Sequence, residues 1–204
     1  MDKRLLIFGV ISLAAPLGAL ATDDAAQVPA PKKSYYVDLA GNEDDAPKTP
    51  KTAPKTKADR DSVAKLEAKT FQLINEARNA NGAEAVTLNK KLSDLARTYA
   101  QRLLAEKFFS HVDPAGVGAQ ERANNAGIKC GVYENLGWQS GDDSSMEKVI
   151  DLHQSFLNEP PDQKNHRHIL LHPKHLFVGV GIAKSGDELA LVQEYTDENP
   201  DEAH

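Results

Sequence analysis

Two histidines and two glutamates stand in settings where a solvated residue is not expected. His111 follows Phe108 and Phe109, Glu134 lies within a short apolar strand, Glu159 closes an apolar helical stripe, and His166 precedes Arg167-His168-Ile169-Leu170. Taken singly, each reads as a hydrogen-bonded core residue. As residue types, two imidazoles brought together can hold a divalent ion, zinc first among them, with open positions for water or ligand. The glutamates would then orient the rings or hold the water. His153, on the apolar stripe of a helix, reads as a core histidine bonded to a backbone carbonyl, with a place in the cavity as the alternative. His168, His172 and His175 are close in sequence, but Pro173 breaks any helix there, so they are expected to fan out into solvent.

Nucleophilic and phosphate-binding signatures are missing. In Gly137-Trp138-Gln139-Ser140-Gly141 the serine stands one place too late for a nucleophile elbow, and Cys130 carries no local protease signature. Gly179 and Gly181 alternate with Val178, Val180 and Ile182 inside a strand with no helix after it, so they bind no phosphate. They let another element approach closely instead.

The elements that must position these residues are legible from periodicity. Leu66, Thr70, Leu73, Ile74 and Ala77 form one helical stripe ended at Asn81-Gly82, and a second helix starts at the Asn89 cap with Leu92, Leu95, Ala96, Tyr99 and Leu103. A short helix ends near Gly127, and Val132 to Trp138 reads as a strand. Ser144-x-x-Glu147 is a capping box for a helix with the buried stripe Met146, Val149, Ile150, His153, Phe156 and Leu157. A hairpin closes the domain, Leu176 to Lys184 and Glu188 to Thr196, turning at Ser185-Gly186-Asp187.

Ahead of these elements, residues 1–21 read as a secretory signal. Lys3 and Arg4 are the basic end, Leu5 to Leu17 the apolar core, and Ala19-Leu20-Ala21 the cleavage site. Residues 22–60, with three Pro-Lys-Thr triplets, read as a disordered tether whose Tyr35-Tyr36-Val37-Asp38-Leu39 is linker or a short docking motif. The domain is expected over 61–198 and a disordered tail over 199–204. Cleavage near Ala21 removes a net charge of +1 and takes the formal charge from −6 to −7. Such an acidic chain is a poor partner for nucleic acid or anionic lipid. Later segments are not apolar enough to span a membrane, and the single Cys130 permits no internal disulfide, so a monomer held by its core is expected, periplasmic or secreted.

Six segments in order give a family resemblance: Leu73-Ile74-Asn75-Glu76-Ala77-Arg78, Phe109-Ser110-His111, Glu134-Asn135-Leu136, Phe156-Leu157-Asn158-Glu159, Asn165-His166-Arg167-His168-Ile169-Leu170 and Val178-Gly179-Val180-Gly181. This pattern resembles the CAP superfamily, the cysteine-rich secretory, antigen 5 and pathogenesis-related 1 proteins, also called the SCP domain, in its short bacterial form. The resemblance implies an α+β fold, a three-layer α-β-α sandwich with a central antiparallel sheet. It also implies a cleft lined by His111, Glu134, Glu159 and His166, with His111 and His166 as metal ligands. Residues 160–164 form a Pro-containing insertion directly behind Glu159, and the disulfides of the eukaryotic members are absent. Three functions follow as alternatives: a non-enzymatic module binding a small hydrophobic ligand or peptide, a zinc-assisted hydrolase using Glu134 or Glu159 as base, and an envelope-associated structural protein anchored by its tether.

Overall fold

The computed structural model describes residues 4–10 and 61–202; the tether and its Tyr35–Leu39 motif lie outside the described residues. Four of the five described helices begin where a side chain accepts from an otherwise unpaired N–H; the one that starts at Gly118 does not. Ser62 caps α1 (Val63–Ala80), and Asn89 caps α2 (Lys90–Ala105). Ser144 and Glu147 form the capping box of α4 (Ser145–Leu157). The short α3 (Ala119–Asn125) follows α2 in the chain. Gly82 and Gly127, with φ of 75° and 77°, turn the chain after α1 and α3.

The strands are β1 (Arg4–Val10), β2 (Thr87–Leu88), β3 (Tyr133–Ser140), β4 (Phe177–Ser185) and β5 (Glu188–Thr196), in the order β1-β3-β5-β4-β2. All neighbours are antiparallel except β2, which runs parallel to β4 and so departs from the expected all-antiparallel sheet. β1 comes from the stretch read as the apolar core of a leader.

The two faces of β4 decide the layers. A Cβ at Gly179 would lie 2.2 Å from the backbone carbon of Leu92, and one at Gly181 would lie 2.1 Å from the nitrogen of Arg97. Helix α2 therefore sits directly on the sheet, as the alternating glycines predict. Val178, Val180 and Ile182 face the other way and join Leu66, Ile74, Val149, Leu152 and Phe156 of α1 and α4 in the largest apolar cluster. The three-layer α+β expectation holds.

Three expectations need correction. The buried stripe of α4 runs through Lys148, Val149, Leu152, His153 and Phe156, so Leu152 takes the place assigned to Ile150. Lys148 is buried because its ammonium donates to the carbonyls of Gly141 and Asp187. Residues 166–171 form a further helix, α5 (His166–Leu171), capped by Asn165. Finally, residues 200 and 201, read as part of a disordered tail, contact the domain: Asn89 donates to Asp201 at 2.7 Å, and Lys91 to the carbonyl of Pro200.

Candidate functional site

His111 is held from both ends. Its Nδ1 lies 2.7 Å from Glu134 Oε1, and its carbonyl oxygen accepts from Arg122 Nη1 at 2.9 Å. Arg122 closes the loop by pairing with the other oxygen of Glu134. The guanidinium lies 3.3 Å over the ring of Tyr99, whose hydroxyl donates to the carbonyl of Ser110. Burial and the Glu134 charge push the Tyr99 pKa up, against the opposing pull of Arg122, so it stays a neutral donor. With Nδ1–H committed to a carboxylate, the lone pair of His111 is at Nε2, which is buried without a hydrogen-bond partner among the described residues.

His166 repeats the arrangement from the other helical layer. Its Nδ1 lies 2.6 Å from Glu159 Oε1, while Glu159 Oε2 accepts from the backbone N–H of Arg167. The ring stacks on Phe156 at 4.5 Å, and Asn135 donates to the carbonyl of His166. The insertion at 160–164 thus leaves Glu159 in contact with its histidine. Successive residues of β3, Glu134 and Asn135, serve one pair each, and both sit opposite the end of β1, where Val10 pairs with Glu134 and Gly9 with Asn135.

His153 is buried on α4 with Nδ1 unpartnered among the described residues. Burial lowers its pKa to about 4, and the charges acting on it are Glu76 and Lys69 of α1. It therefore faces α1, without the expected carbonyl bond at that nitrogen. His175 overturns its expected solvation: it is 2% exposed, with its pKa lowered by burial to about 4. Its Nδ1 lies 2.6 Å from Asp197. The short turn around Pro173 folds this histidine back under Tyr133 and Tyr195. Cys130 packs among Leu92, Leu95, Ala123, Ile128 and Val132, so its thiol is a core group and burial raises its pKa.

Three members of the His111 cluster escaped sequence reasoning: Tyr99, Arg122 and Glu194. Tyr99 looks like helix core and Arg122 like an ordinary helical cation. Glu194, though, carries the same signal as Glu134, an acid inside an apolar strand. It is the cross-strand partner of Glu134 and is 0% exposed. Ionised, neither of its oxygens has a donor among the described residues. Burial, reinforced by the Glu134 charge, raises its pKa well above the usual carboxylate value, so it is held as the neutral acid and can donate to Glu134.

A carboxyl whose folded pKa is raised stabilises below the unfolded value near 4.5 and loses that contribution as pH rises toward the folded pKa. Glu194→Gln keeps the shape and a donor but cannot ionise. The variant is expected to match the parent near about pH 4 and to exceed it in stability at about pH 8. Denaturant titrations at both pH values check this, and a variant weaker than the parent at the higher pH contradicts it.

Among the described residues, one group of three or more metal-type side chains is compact: His172, His175 and Asp197. His111 and His166 belong to two-membered His–carboxylate pairs instead, and an ion shared between them is taken up below as a proposal.

Comparison with known proteins accords with this architecture. The family model described as CAP, cysteine-rich secretory protein family, matches residues 71–195. The uncharacterized protein YkwD of Bacillus subtilis (strain 168) is 26% identical over 151 residues, covering 72% of this chain and 55% of the relative. The chain thus spans about half the length of that curated relative. An extracellular protein containing a SCP domain from Bacillus anthracis str. Ames superposes with a TM-score of 0.53 at 18% identity, over 64% of this chain and 40% of the other. An outer surface protein of Borrelia burgdorferi gives 0.55 at 17%, over 67% and 95%. No helix among the described residues is long and apolar enough to cross a membrane. The segments around His111, Glu134, Glu159 and His166, the sandwich that carries them and the match over 71–195 agree, and the chain belongs to the cysteine-rich secretory protein (CAP) family.

Proposed function

We propose that this chain is an exported, non-enzymatic binding module that takes an extended apolar peptide along the free edge of β3, with the two His–carboxylate pairs at one end of the cleft. The observation that carries this reading is β1. Residues Arg4–Val10 run antiparallel to β3, from Arg4 opposite Ser140 to Val10 opposite Glu134. The other side of β3 is taken by β5. An edge strand offers a row of backbone donors and acceptors to any extended segment, and main-chain pairing supplies affinity while side-chain pockets supply selectivity. The apolar leader is then a stand-in for the ligand, and its removal on export leaves the edge for a peptide of similar character. A lipid ligand has no comparable observation behind it: the recess of about 520 Å³ between α1 and α2 mixes Ala64, Ala68, Leu88 and Val180 with Glu67, Lys90, Asp94 and Arg97, and no strand pairing marks an occupant there.

The protein beginning at Thr22 tests this. Trp138, its single tryptophan, lies opposite Leu6 in the register, so a peptide with the sequence of residues 4–10 should produce a saturable change in its fluorescence. Proline in place of both Leu6 and Ile7 should abolish the change, since one of two successive N–H groups in an edge strand faces its partner. Absence of any saturable change would remove the support for peptide binding.

The metal-assisted hydrolase is the second reading. It is favoured by one feature, the Nδ1–carboxylate contact of both His111 and His166, which is how metal-ligating imidazoles are oriented. Zinc binding that is lost in the double variant His111→Ala, His166→Ala, together with zinc-dependent cleavage of the bound peptide, would move the assignment to an enzyme.

A further inference from the structure

We propose that His172, His175 and Asp197 form a separate divalent-cation site, of the two-histidine, one-carboxylate type that suits zinc, where the end of α5 meets the outer ends of β4 and β5. One nitrogen from each ring and one carboxylate oxygen all lie within 4.8 Å of one another. Tetrahedral zinc, with bonds near 2 Å, sets its ligand atoms a little over 3 Å apart, so closure needs movements of at most about 1.5 Å. Three protein ligands leave a fourth position for water.

A second observation points to a ligand. His175 is almost wholly buried, and its Nε2, like Nδ1 of His172, is buried with no hydrogen-bond partner among the described residues. His172 therefore offers a nitrogen uncommitted to the protein, and buried polar atoms left in that state are costly; at His175 the nitrogen on the Asp197 side is Nδ1, 2.6 Å from the carboxylate, where an ion would take the place of the shared proton.

The frame that holds the three groups is rigid. Arg78 donates to the carbonyls of Leu170, His172 and His175, which fixes the turn on both sides of Pro173. The N–H of Leu176 donates to the carbonyl of Thr196 at 2.9 Å and ties His175 to the strand end that carries Asp197. Tyr133 lies 4.7 Å from the His175 ring and Tyr195 5.3 Å from it, and His168 stands 5.3 Å from His172. Arg78 and Lys174 are the opposing cations nearby, so the site depends on all three ligands acting together.

The test is titration of the full chain with Zn²⁺ by calorimetry, and with Co²⁺ by its visible absorption, in the parent, His172→Gln, Asp197→Asn, and the double variant His111→Ala, His166→Ala. The parent and the cleft double variant should bind an ion with similar affinity and give the absorption of a tetrahedral site. His172→Gln and Asp197→Asn should each weaken binding at least about tenfold with an unchanged circular dichroism spectrum. Should a variant fail to fold, the cleft double variant carries the test alone: its melting temperature should rise with zinc and fall back on chelation. No ion bound, binding indifferent to His172→Gln and Asp197→Asn, or zinc-independent melting of the cleft double variant would each overturn the site.

Discussion

Arg78→Ala is expected to lower the free energy of unfolding by about 3–5 kcal/mol, enough to unfold a domain of ordinary stability at modest denaturant. Arg78 is completely buried near the end of α1. Its Nε donates to the carbonyl of Glu84 at 2.7 Å, Nη1 to Leu170 at 2.9 Å and to His172 at 3.1 Å, and Nη2 to His175 at 3.2 Å. Burial lowers its pKa, but a guanidinium remains protonated at any working pH. Alanine leaves four inward-facing carbonyls without this donor and opens a cavity the size of the side chain. Lysine keeps the charge but cannot span the fork, so Arg78→Lys should recover only part of the loss. Denaturant unfolding of both variants provides the measure; a loss under about 1 kcal/mol for alanine would show that these carbonyls find other partners.

Adding one methyl group at Gly179 or Gly181 should be as damaging. The new Cβ would meet backbone atoms of Leu92 or of Ala96 and Arg97 at 2.1–2.5 Å, and backbone cannot rotate away. Helix α2 must lift from the sheet, at a cost of about 3 kcal/mol or more for each alanine. Gly137→Ala is the control. There the nearest atoms are the ends of the Leu152 and Phe156 side chains at 2.9 and 3.1 Å, which can shift, so a loss nearer 1 kcal/mol is expected. Thermal melts of the three single variants rank them, and equal losses would mean that α2 tolerates displacement.

These glycines also show what the sequence could reveal. Their alternation with valine and isoleucine announced a strand with one apolar face and one face open to close approach, and the structure puts α2 there. Capping residues Asn89, Ser144 and Glu147 marked helix starts because their side chains act locally. The parallel pairing of β2 with β4 is non-local, and no periodicity in two residues could signal it. Residues 166–171 were hidden because a six-residue helix is too short to show a period. His175 was misplaced because its burial comes from Tyr133 and Tyr195, residues of two different strands. The His–carboxylate pairs show the same division. Residue type and setting singled out His111, Glu134, Glu159 and His166 one by one. Arg122 and Tyr99 entered only through the stacking of a guanidinium on a ring that no spacing records.

The strand order has a consequence for how the protein comes into being. β4 and β5, at 177–196, follow every other described element in the chain, yet they stand in the middle of the sheet, between β3 and β2. Until they leave the ribosome, α1 and α2 have no surface to cover and β3 has no partner on its inner side. Such non-local wiring makes folding slow. The earlier elements therefore wait without their scaffold until residues 177–196 have been made, and the sheet closes only once that hairpin is in place.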